Sequence, residues 1–178
     1  MKRMNQFLLT LLMFPLTSLA AQTVQRDLGN YTDWKAAQIQ GHDLWKNEAC
    51  IASTTAKSDL STLEIYASKM DDQSGYAEPT VQVVTRGAPA YVRGVLVNES
   101  NGTKVYMVLA SNQDNPAQTG LMTRLDDRAS LVLLLKRSTQ ISLQLIDARN
   151  KVAKTLRFSL MGSTKAIDAA YSGCGINL

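Results

Sequence analysis

One histidine, His42, and two cysteines, Cys50 and Cys174, are all that 178 residues offer in imidazole and thiol ligands. A tetrahedral metal site needs more than these three side chains can bring together. No Cys-x-x-Cys pair is present, which argues against thiol–disulfide redox chemistry. No Gly-x-Ser-x-Gly element is present to lift a serine nucleophile above a sheet. His42 sits in a polar stretch beside Asp43, where an exposed polar role fits better than a Ser–His–Asp triad. The paired carboxylates, Asp71-Asp72 and Asp126-Asp127, are sequence neighbours, and neighbours on a strand point to opposite faces. They read as a loop and as a helix start. Residues 71–74 also supply too few oxygens for calcium. No catalytic residue, cofactor site or metal site is expected.

Long apolar runs are missing too. The longest, residues 7–19, is uncharged but shorter than the roughly 20 residues of a spanning helix, and it contains Pro15. Lys2 and Arg3 precede it and Ser18-Leu19-Ala20 closes it. This is the pattern of an export signal cleaved after Ala20, with no integral membrane span left behind. Loss of residues 1–20 takes the formal charge from +4 to +2, leaving 17 basic and 15 acidic side chains. Basic residues such as Arg86, Arg93, Lys104, Arg124 and Arg157 are scattered singly. A nearly neutral chain with no basic face gives no electrostatic case for nucleic acid.

The organisation expected is a signal over residues 1–20, a polar segment over 21–44 and one β-rich domain over 45–178. Residues 22–41 look like a leader or a loosely attached first element. Strands are expected over 49–55, over 60–68, where Leu63, Ile65 and Ala67 share a face, and over the Val-rich 80–85. Residues 90–98 and 103–110 form a hairpin across Asn101-Gly102, a pair suited to a type I′ turn. Residues 111–120 read as a polar loop. Residues 139–146 and 152–160 form a second hairpin across 147–151. The run from Leu131 to Leu135 reads as a short helix ending at Lys136-Arg137, with a buried strand as the competing reading. A last helix starts at a Ser163 cap and stops at Gly173. The fold class is mainly β: a β-sandwich or curled antiparallel sheet with two short helices.

Export and a cysteine count of two point to one structural disulfide, Cys50–Cys174, tying the first strand of the domain to its final helix. Two free thiols are the alternative.

Phe158-Ser-Leu-Met-Gly-Ser-Thr-Lys-Ala-Ile-Asp-Ala169, the late Cys174, and Trp45 ahead of Cys50-Ile-Ala-Ser53 carry a resemblance. The chain resembles the invasion-associated locus B family of bacterial envelope proteins, well over 131–174 and loosely elsewhere. The resemblance implies a periplasmic or secreted β-rich protein of a Gram-negative bacterium. It also implies a link to host-cell invasion and virulence, and no catalytic residues.

Tyrosines interleaved with arginines suggest a partner surface at Tyr66, Arg86, Tyr91, Arg93 and Tyr106, since exposed aromatics beside arginine favour protein contacts. The function expected is a non-catalytic binding protein acting on an envelope or host protein, with weak self-association left open. The alternatives are a small envelope enzyme or enzyme inhibitor whose site does not show in the sequence, and a structural accessory subunit.

Overall fold

The computed structural model describes residues 23–42, 47–70, 75–77, 79–86, 91–110, 118–123 and 128–176. Residues 1–20, expected to be an export signal, and Trp45, Asp71-Asp72 and Asp126-Asp127 lie outside them. Among the described residues ten strands pair antiparallel: β1 Thr23–Tyr31, β2 Trp34–His42, β3 Asn47–Thr55, β4 Thr62–Ser68, β5 Thr80–Arg86, β6 Tyr91–Asn98, β7 Lys104–Ala110, β8 Gln118–Thr123, β9 Gln140–Asp147 and β10 Val152–Ser159. Two helices, α1 Arg128–Arg137 and α2 Ser163–Gly173, complete the fold. All ten strands belong to one sheet, in the order β1-β2-β3-β4-β5-β8-β7-β6-β9-β10. The fold is therefore a single curled sheet, not two stacked ones. A sheet this wide, twisting at every strand, curls in preference to staying flat. Here β10, at one end of the order, comes back to touch β3 near the other.

The hydrophobic pattern sets the direction of the curl. Leu63, Ile65 and Ala67 alternate with Thr62, Glu64 and Tyr66, and the first set faces the core together with Val81, Val83, Leu96, Met107, Leu143 and Phe158. The helices fill that concave side. Leu131, Val132 and Leu135 of α1 are buried there with Ala166, Ile167, Ala170 and Tyr171 of α2. The five-residue aliphatic run is thus helical. Its last carbonyls are capped by the next helix: Ser163 Oγ donates to the Leu135 carbonyl at 2.7 Å and Thr164 Oγ1 to the Lys136 carbonyl at 2.7 Å.

The seam where the sheet meets itself has its own bonds. Trp34, fully buried, donates Nε1–H to the Ser159 carbonyl at 2.9 Å. The Asp33 amide donates to the Met161 carbonyl at 3.3 Å, and Thr54 Oγ1 to the Asp33 carbonyl at 2.8 Å. Lys154 on β10 pairs with Asp59 in the turn after β3. The Cys50–Cys174 disulfide joins β3 to the residue after α2, with a Cα–Cα distance of 6.4 Å across 124 positions. That spacing is within the normal range for the bond.

Four expectations change. Residues 23–41 are not a loose leader: they belong to the β1–β2 hairpin, which pairs from Thr23 with Gln40 to Tyr31 with Trp34. The loop expected over 111–120 gives way to β8 at Gln118, which pairs with β5 and β7. The Asn101-Gly102 turn is not type I′, because only Gly102 has a positive φ, +72°. The loop is longer, closed by the Asn98 amide on the Thr103 carbonyl at 2.9 Å and by Asn98 Oδ1, which accepts from Ser100 N–H at 2.9 Å. Finally, Ser163 does not cap α2. Gly162 stands at that position with φ +93°, and Ser163 turns its hydroxyl to α1. At the other end α2 stops at Gly173, as expected, with Gly173 close against Leu28 and Gly175, φ +70°, just past it.

Candidate functional site

The convex face of the sheet has two halves. On β2–β4, Ile39, Ala49, Ile51 and Tyr66 form a second apolar cluster, buried apart from the main core. On β7 two large side chains stay in contact with solvent: Tyr106 is 54% exposed and Val108 50%. Their strand neighbours Val105 and Met107 point into the core, so period-2 alternation puts Tyr106 and Val108 outside. Arg93 stands directly opposite Val108, and Val95 opposite Tyr106. Arg93 and Tyr106 are therefore diagonal neighbours on one face, within reach of long side chains. Arg93 Nη2 donates to Asn150 Oδ1 in the β9–β10 turn, which orients the guanidinium. Lys104 is exposed on the same face of β7.

The five residues expected to make a partner surface thus separate. Arg93 and Tyr106 come together. Tyr66, 6% exposed, belongs to the buried β2–β4 cluster. Tyr91 is half-buried against the main core. Arg86 ends β5, and its side chain lies outside the described residues, as does that of His42. Val108, Lys104 and Val95 escaped the sequence reading. Alternation along β7 was the signal that could have found Lys104 and Val108; Val95 enters only through its pairing with Tyr106.

A second feature lies along the convex side of the seam. A cleft of about 840 Å³ runs between the β2–β3 strands and the β9–β10 hairpin. Lys35, Lys57 and Arg157 line it, with Asp33 the single carboxylate among its lining residues. Arg157 Nε lies 3.2 Å from Glu99 Oε1, both side chains well exposed, a pairing worth little in water. Nothing in the sequence pattern marked this place, because its two walls lie about 100 residues apart.

Near the disulfide, Glu48 gathers donors. It accepts from the Tyr76 hydroxyl and from Gln38 Nε2, and Lys69 Nζ lies 3.8 Å away. The Tyr76 hydroxyl, then the Gln38 amide, hold the Glu48 carboxyl below the usual glutamate range. Burial first, and Glu48 second, push Tyr76 up to about 12. A depressed folded pKa means that Glu48 stabilises fully above the ordinary glutamate value and loses that contribution as pH falls through the folded value. Urea midpoints measured from pH 7 to pH 3 should therefore fall less steeply for Glu48→Gln than for the parent. Parallel curves would remove Glu48 from the acid response.

Among the described residues no group of three or more His, Cys, Asp or Glu side chains is placed to hold a metal ion. None of the described helices is long and apolar enough to cross a membrane. No protein-family model, no curated protein and no solved structure matches the chain.

Proposed function

We propose that this chain is a non-catalytic binding protein, exported to the periplasm or beyond, which engages a partner protein through the convex face of β6 and β7. One observation carries the reading: Tyr106 and Val108, each about half exposed, sit beside Arg93 on an antiparallel strand pair with no covering element among the described residues. Soluble proteins seldom leave such side chains together on an open face without use. A rigid aromatic beside arginine is the side-chain chemistry of interface hot spots. Arg93 and Lys104 flank the apolar centre, so the complementary surface is an apolar patch rimmed with carboxylates. The disulfide supports an oxidising compartment. The likeness of residues 158–169 to the invasion-associated locus B family supports an envelope role, with host contact as its finer form.

A photo-crosslinking residue at position 106, introduced in the producing cell, tests this. We expect one discrete heterologous adduct, identified by mass spectrometry. It should be absent when the residue is placed at exposed Leu60 in the β3–β4 turn, and lost with Arg93→Glu, a change expected to remove about 2 kcal/mol or more of binding if Arg93 is a hot spot. No adduct at 106, or an adduct with the mass of two copies of this chain, would overturn the reading.

A further inference from the structure

We propose that the cleft along the seam is a binding site for an acidic carbohydrate, a sugar chain or sugar carrying carboxylate or phosphate groups. Its volume, about 840 Å³, is that of a small-molecule site. Its charge is one-sided. Lys35 comes from β2, Lys57 from the turn after β3 and Arg157 from β10, against the single lining carboxylate of Asp33, with Arg157 also in an exposed pair with Glu99 outside the lining. Among the described residues Lys35 and Lys57 have no ion-pair partner. Cations converging from three elements on one groove focus a field that draws in anions.

The rest of the lining selects among anions. Ser53, Thr155 and their neighbours fill the walls with hydroxyls. A hydroxyl both donates and accepts, which suits the hydroxyls of a sugar. Charge-assisted bonds from Lys35 and Arg157 would hold its acid groups. Met161, 57% exposed at the rim, offers a polarizable contact to a sugar's C–H face. No aromatic side chain lines the cleft, and without a stacking platform single-stranded nucleic acid is a poor fit.

The walls are held before any ligand arrives. The Trp34–Ser159 and Asp33–Met161 hydrogen bonds tie the two sides together, and Thr54 Oγ1 fixes Asp33 within the β2–β3 wall. A site assembled in advance avoids the ordering penalty that weakens binding by loose loops. The cleft's lining shares no residue with the β6–β7 face, so either site can fail its test alone.

Calorimetric titration of the purified protein at low salt, with four probes, decides the matter. Tetragalacturonate carries carboxylates on sugars, and glucose 6-phosphate carries phosphate. Maltotetraose is neutral, and tetraglutamate is an acidic peptide. Binding of either or both acidic sugars supports the site and names the acid. It should weaken by about tenfold or more in Lys35→Gln/Arg157→Gln, since each lost charge-assisted bond is large enough for that. Both side chains are exposed, so the variant should keep the parent's melting point. Equal affinity for tetraglutamate or maltotetraose, binding unchanged in the variant, or no binding of either acidic sugar would overturn the proposal.

Discussion

Replacing both Cys50 and Cys174 by alanine is expected to lower the melting temperature by roughly 10 °C or more. The bond closes a loop across 124 positions, and in the chain-entropy account a closure of that length restricts the unfolded state by about 3–5 kcal/mol. For a domain of this size each kcal/mol moves the midpoint by about 2–4 °C. The position matters as much as the length. Cys50 is fully buried in β3, and Cys174 follows the last turn of α2, the helix that packs on β1, β2 and β3. Cutting the bond frees the end of the element that closes the concave side. Thermal melts of the oxidised protein, the reduced protein and the double alanine variant should place the last two together, well below the first. Three coincident midpoints would mean that the bridge does not hold the fold.

Gly162→Ala is expected to cost about 3 kcal/mol or more, a large loss for one methyl group on the surface of a turn. Gly162 has φ +93°, and a Cβ there would lie 1.9 Å from the carbonyl oxygen of Tyr31 and 2.7 Å from its carbonyl carbon. Those are backbone atoms of the β1–β2 hairpin, which cannot rotate away as a side chain could. The hairpin would have to leave the start of α2, straining the adjacent Asp33–Met161 and Trp34–Ser159 hydrogen bonds. Gly102→Ala is the control. Gly102 also has a positive φ, +72°, but nothing lies within 4 Å of its Cβ direction. It should lose only the left-handed backbone penalty, about 1 kcal/mol. Urea unfolding of the two variants separates close approach from backbone conformation. Equal losses would show that the contact at Tyr31 carries no weight.

Much of this architecture was legible where local pattern and burial agree. Leu63, Ile65 and Ala67, and later Ile141, Leu143 and Leu145, alternate cleanly because one face of each strand is core. The closing helix showed itself through Ala166, Ile167, Ala170 and Tyr171 at helical spacing, and the disulfide through the cysteine count. The β1–β2 hairpin hid because its ladder is bulged at two places on β1. β2 also buries Trp34 and Ala36 on one face and Ile39 on the other, so no period-2 stripe appears. β8 hid because glycine and threonine at Thr119, Gly120 and Thr123 signal a loop by composition, while pairing on both sides makes them a strand. Tyr66 and Tyr106 occupy equivalent alternating positions on their strands. Which of the two is covered depends on neighbours two strands away, and no local signal reports that. The cleft is a product of the curl alone, since Lys35 and Arg157 meet only when the first and last hairpins do.

That meeting is the claim on which the fold, the cleft and the effect of Gly162 all rest. A ¹⁵N-edited NOESY spectrum of the oxidised protein observes it directly through the Trp34 indole N–H, which donates across the seam to Ser159. The indole proton should show cross-peaks to the amide protons of Leu160 and Met161. Cross-peaks confined to β2 and β3 would mean that the sheet does not close, and would contradict the architecture described above.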